Sequence, residues 1–232
     1  MIGTLVNTGT VALGATIGLL LNKRLPEKYT SIIFQVLGLF TIFIGISMAM
    51  KSGNYLILIF GLLTGGIIGE ALRLENRINN LSDKLKNRTA KNDDKFTQGL
   101  VTAFMLFCVG SMTVIGTFEE GLTGKRDTIL TKSLMDLFSS IALASAFGRG
   151  VIFSIIPLFL YQAGLTLGAE FFKDFLSPEM IDELSASGGI MLVGLGISIL
   201  DLKKIRVINM LPALVMAVLL TWIAQHFGFY AI

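Results

Sequence analysis

An all-α, polytopic transmembrane bundle of about eight helices with internal inverted-topology repeats is the fold this sequence predicts. Three observations predict it: composition, the length of the uncharged stretches, and a recurring helix–break–helix pattern. The 232 residues are 53% hydrophobic and 15% charged, with a mean hydropathy of +0.75. Soluble domains carry roughly 25% charged residues, which argues against a water-soluble fold. A helix crosses the hydrocarbon core with about 20 residues.

Six stretches meet that length: 2–21, 32–50, 96–118, 150–169, 184–200 and 207–232. Tyr55 to Gly69 is shorter, but its helix can continue into Glu70 at the headgroups. The segment from Lys132 to Ala169 is too long for one crossing. Its Gly148-Arg149-Gly150 reads as a tight turn between two helices. Eight crossings result, as a single transmembrane domain over 1–232. The first helix lacks a basic leader region and shares its glycine element with the body of the chain, so it reads as part of the fold rather than a signal peptide.

Orientation follows from the 19 basic residues. With the N-terminus outside, Lys23, Arg24, Lys28, the seven from Arg73 to Lys95, Arg149, Lys203, Lys204 and Arg206 all fall on the inner side. That distribution is the positive-inside bias, and it places both termini outside. Segment 73–95, between helices three and four, has Leu74, Ile78, Leu81 and Leu85 on one helical face and reads as a cytoplasmic amphipathic linker.

The repeat aligns Gly14, Thr16 and Gly18 with Gly164, Thr166 and Gly168, and Gly45-Ile46-Ser47 with Gly196-Ile197-Ser198. A weaker copy begins at Gly110 and includes Gly116. An odd number of crossings separates the first copy from the others, so it must be inverted relative to them. Inverted repeats commonly place a binding site near the bilayer midplane. Gly14, Gly18, Gly110, Gly116, Gly164 and Gly168 read as helix-packing positions, because G-x-x-x-G lets two backbones approach.

Polar residues at membrane depth are functional candidates, since leaving them in lipid is costly. Asn7, Thr8, Thr16, Asp136, Gln162 and Thr166 form the candidate substrate or pore set. Pro157 frees a backbone carbonyl near Phe153 and predicts a broken helix beside Gln162. Glu119 and Glu120 read as solvated helix ends. A single histidine, His226, excludes a Ser-His-Asp or Cys-His centre around the middle of the chain, and no metal-ligand spacing occurs. Neither enzyme, metal nor cofactor is expected.

The stretches MIGTLVNTGTVALGATIG, FCVGSMTVIGTFEEGLTG and KSLMDLFSS…GVIFSIIPLFLYQAGLTL resemble the YdfK/YqgA-like bacterial integral-membrane family, which is labelled as a domain of unknown function. The resemblance implies a multi-pass protein of the bacterial cytoplasmic membrane. From the residues, the leading expectation is a secondary transporter or channel-like permease for a small solute or ion. The alternative is a non-transporting scaffold or regulator acting through 73–95. Expected partners are the lipid bilayer and a small solute or ion; a homo-oligomer is compatible, and no nucleic acid is expected.

Overall fold

The computed structural model describes residues 1–22, 27–80, 95–108, 110–172 and 175–228, and these are helical throughout apart from short connections. In chain order the helices are α1 (Ile2–Asn22), α2 (Glu27–Ala49), α3 (Tyr55–Ala71), α4 (Phe96–Cys108), α5 (Ser111–Thr123), α6 (Asp127–Phe147), α7 (Gly150–Phe153), α8 (Ile155–Phe172), α9 (Pro178–Ile199) and α10 (Pro212–His226). Two compact units form from non-contiguous pieces. One holds residues 1–37, 81–108 and 112–173; the other holds 38–80, 109–111 and 174–232.

In the first unit, α1 and α6 pack most closely, and small residues make this possible. A Cβ on Gly14 would fall on Ser140 Oγ, and one on Gly18 would fall on Ile141 O and lie 2.8 Å from Ala144 Cβ. At the other end Gly3 lies against Ile129. Residue numbers rise together along the contact, so the two helices run parallel. Gly148, at φ 75°, makes the turn into α7 that separates α6 from α8. The fourth span corrects the expectation of one continuous helix: α4 and α5 are bent by 56° across residues 108–111. Thr113 Oγ1 donates to Phe107 O at 2.8 Å, satisfying a carbonyl that the break frees. A second interruption, at Ser154 between α7 and α8, lies where the missing N–H of Pro157 predicts one.

In the second unit, α2 and α9 cross antiparallel through four glycines. A Cβ on Gly45 would meet Gly189 O at 2.6 Å and Val193 N at 2.7 Å. One on Gly196 would meet Gly38 O at 2.8 Å and Ile42 N at 3.1 Å. The alignment that sets Gly45 on Gly196 also sets Gly38 on Gly189 and Ile42 on Val193, so the two contact sets exchange. The outer contacts do the same: Gly38 faces Leu200, and Gly189 faces Ala49, its aligned counterpart. α3 lies antiparallel along α10, with Gly61 against Ala217, Gly65 against Ala213 and Gly69 against Asn209.

Helix direction bears on the crossing count. Six helices are long and apolar enough to cross, or eight if each bent pair is one span. α3 covers the same depth as α10, since its 17 residues rise about 25 Å alongside it. Parallel α1 and α6 require an odd number of crossings between them. With α2 and α3 each crossing, the expected eight-crossing topology has the bent α4–α5 pair as the third crossing between α1 and α6, within the range of six to eight that the described helices allow. Beyond α3 the chain bends by 55° into helical Leu74–Asn80, with Leu74 and Ile78 half-buried. The rest of the expected linker helix, including Leu81 and Leu85, lies outside the described residues.

Candidate functional site

The first unit buries a polar cluster where α1, α4, α6 and α8 converge. Its centre is an ion pair one turn apart on α6: Lys132 Nζ lies 2.8 Å from Asp136 Oδ1 and 2.7 Å from Oδ2. Both residues are buried, at 6% and 4% exposure. α6 carries them on the same face as Ile129, Ser133, Ser140 and Leu143, the buried stripe of the helix. The C-terminal end of α4 adds Phe107, whose ring centroid is 6.0 Å from Lys132 Nζ, and the buried thiol of Cys108.

Two carboxamides complete the cluster, both wholly buried. Asn7 lies beside the Asp136 carboxylate, close enough to act on it, yet neither of its amide atoms makes a hydrogen bond. Gln162 is likewise unpaired at both amide atoms. Thr4 Oγ1 and Thr166 Oγ1 are 3.1 Å apart, joining α1 to α8. Asn7 is one turn inward from Thr4 and Gln162 one turn inward from Thr166 on the antiparallel partner, so helical geometry sets the amides at one depth. Each unpaired amide costs on the order of 1–3 kcal/mol. Two in one place amount to a standing demand for hydrogen-bonding groups.

The expected site set thus divides. Asn7 and Asp136 are brought together, Thr166 meets Thr4, and Gln162 is buried one turn from Thr166. Thr8 is half-buried, and its hydroxyl is committed to Thr4 O at 2.8 Å. Thr16 corrects the expectation: it is exposed and bonds back to Ala12 O at 2.7 Å, which removes it from the cluster. Among the packing glycines, Gly14 and Gly18 meet α6, and Gly116 lies 3.0 Å from Ile129 N by its would-be Cβ. A Cβ on Gly110 or Gly164 would have nothing within 4 Å, so no packing partner for either is found among the described residues. Gly168 is half-buried.

Two features escaped the sequence reading. Lys132 is not among the candidate site residues, although its i, i+4 spacing to Asp136 is the spacing of a helical ion pair. Glu120, expected to be solvated, is 5% exposed. Its carboxylate accepts from Gly3 N at 2.7 Å, Thr4 N at 3.1 Å and Thr4 Oγ1 at 3.3 Å, and pairs with the Met1 amino group at 2.9 Å. It satisfies the orphan N–H groups that begin α1. Glu183 does the same for the start of α3, accepting from Ser52 Oγ, Gly53 N and Asn54 N, each at 2.8 Å.

A separate groove of about 320 Å³ runs between α3 and α10, lined by Asn54, Leu56, Ile57, Phe60, Leu220, Ile223 and Ala224. Its one polar side chain, Asn54, is occupied in capping α3 through Leu56 N and Ile57 N. Nothing in that lining would hold a polar solute.

Comparison with known proteins places these features in a wider set. The family described as "Protein of unknown function (DUF554)" matches residues 2–222. The chain is similar to the uncharacterized membrane protein YdfK of Bacillus subtilis (strain 168), at 33% identity over 232 residues, covering 98% of this chain and 99% of the relative. It is also similar to the uncharacterized protein YqgA of Escherichia coli (strain K12), at 33% identity over 222 residues and 94% of each chain. No solved structure matches.

Proposed function

The chain belongs to the DUF554 family, and we propose that it is a permease for a small polar or ionic solute, with the α1–α4–α6–α8 cluster as its site. One observation carries this reading: two wholly buried amides, Gln162 unpaired at both atoms and Asn7 short of full hydrogen-bond geometry beside the Asp136 carboxylate, in a unit that also buries the Lys132–Asp136 ion pair. Membrane proteins keep ionisable and unsatisfied groups in the bilayer interior where a solute or water pathway uses them. Irregular backbone at that depth is tolerated where it lines a cavity. The α4–α5 break supplies a helix C-terminus and a helix N-terminus, the fixed dipoles that transporters present to solutes.

The exchange of contacts between Gly38/Gly45 and Gly189/Gly196 supports an inverted repeat, because a two-fold axis in the membrane plane would produce it. The same axis relates antiparallel helices only, which α2 and α9 are. The excess of basic residues in the loops expected inside supports termini on the outer side of a bacterial cytoplasmic membrane.

The test is solute flux in reconstituted vesicles. Asn7→Leu and Gln162→Leu remove the unpaired groups without removing a charge. Both variants should remain folded and lose flux. Flux unchanged in both would end the assignment of this cluster as the site.

A further inference from the structure

Resting on the permease reading, we propose that the solute is a small carboxylate that loads with one proton, its oxygens replacing Asp136 on the Lys132 ammonium. The argument starts from charge balance. Lys132 and Asp136 neutralise each other at 2.7–2.8 Å inside the unit. α1 brings no titratable group to this depth, α4 brings the Cys108 thiol, and α8 brings the Tyr161 phenol. α5 carries Glu119, bonded by Thr128, and Glu120, which reaches the edge of the cluster through Thr4 Oγ1 at 3.3 Å and is itself neutralised by the Met1 amino group and Arg126. The cluster therefore has no spare charge. A lone ion entering it would leave one member of the pair buried without a partner, which is costly.

A carboxylate has the shape and charge of the group it would displace, and it can offer both oxygens to Lys132 Nζ as Asp136 does. The freed Asp136 then has no counter-charge. It takes a proton from the water that admits the solute, so that hydronium and Asp136 carboxylate become water and a neutral carboxyl. Asn7 stands beside it, its amide within reach of the Asp136 carboxylate but short of full hydrogen-bond geometry. Its carbonyl can accept the new O–H and its NH₂ can donate to the carboxyl C=O, a pairing that matches the neutral acid at both atoms. Gln162, at the same depth, has an NH₂ to donate to the entering carboxylate. On release the proton returns to water on the far side, and Asp136 re-forms its bonds to Nζ.

Calorimetric titration of the full chain in detergent tests this, using sodium formate, acetate, L-lactate and pyruvate, with glycine as the zwitterionic comparison. Each is titrated in two buffers of different ionisation enthalpy, which counts protons. At least one of the four monocarboxylates should bind with uptake of one proton, its affinity falling about tenfold per unit rise in pH. Asp136→Asn, fixed in the neutral form, should bind with no proton uptake and no pH slope. The double variant Lys132→Met/Asp136→Leu leaves no unpaired charge and should bind none of them. Binding of none of the four by the unaltered chain, binding without a proton, glycine in their place, or binding that survives the double variant would each overturn the proposal. Should flux still depend on Asn7 and Gln162 in that event, only the carboxylate assignment falls and the permease reading stands.

Discussion

Removing Asp136 alone, as Asp136→Leu, strands the Lys132 ammonium, whose ion-pair partner among the described residues is that carboxylate. Lys132 is 6% exposed, and it gives up two charge-assisted hydrogen bonds. Breaking a buried pair from one side costs about 3–5 kcal/mol. At roughly 2–4 °C per kcal/mol for a chain of this size, the melting point should drop by about 6–20 °C. Lys132→Met should cost a comparable amount, because it strands the carboxylate. The double variant, with apolar side chains of similar volume, should recover to within about 1 kcal/mol of the unaltered chain, since desolvation and attraction nearly cancel in such pairs. Circular dichroism melts of the four proteins in one detergent, read as a double-mutant cycle, measure the coupling directly. If Asp136→Leu melts within a degree of the unaltered protein, the ammonium has another partner or ready water, and the argument from a self-balanced buried pair is wrong.

Other predictions follow from packing and topology. Gly14→Val and Gly45→Val should destabilise severely or prevent folding, since their side chains would drive into Ser140 and into the Gly189 backbone; Gly164→Ala, with open space around it, should be neutral to slightly stabilising in the same melts. Glu120→Ala leaves two backbone N–H groups of α1 without their acceptor and should cost about 1–3 kcal/mol, with hydrogen exchange quickening at the first turn of α1. In a Cys108→Ala background, cysteines at Lys125 and Lys203 should react with an impermeant thiol reagent from opposite sides of the membrane. Reaction of both from the same side would refute the eight-crossing count.

Much of this was legible in the sequence because apolar helices make polar residues conspicuous. Asn7, Asp136 and Gln162 stand out from charge-free surroundings, and the cost of leaving them in lipid is enough to say that they need company. What the sequence could not supply is which face each residue takes. Thr16 and Thr166 align in the repeat, yet one bonds back to its own helix on an exposed face and the other meets Thr4. G-x-x-x-G announces a close approach without naming the partner, so Gly14 and Gly164 looked alike although only the first has a neighbour. The α4–α5 break was invisible, because hydropathy runs on unchanged through Cys108 to Gly116 with no proline to mark it. Glu120 sits at a helix end, where solvent is the ordinary surrounding. Its service to a helix that starts 117 residues away is a tertiary fact.

The most direct test of the permease account is whether water reaches the cluster from each side of the bilayer. Gln162→Cys, in the Cys108→Ala background, places a thiol where the unpaired amide stands. Vesicles of known orientation are treated with an impermeant thiol reagent from outside and, separately, from inside, with Lys125→Cys and Lys203→Cys as reference positions. A pathway through the site predicts modification of Gln162→Cys from both sides, slower than at the reference positions. No modification from either side, while both references react, would mean a sealed polar core and would contradict the account.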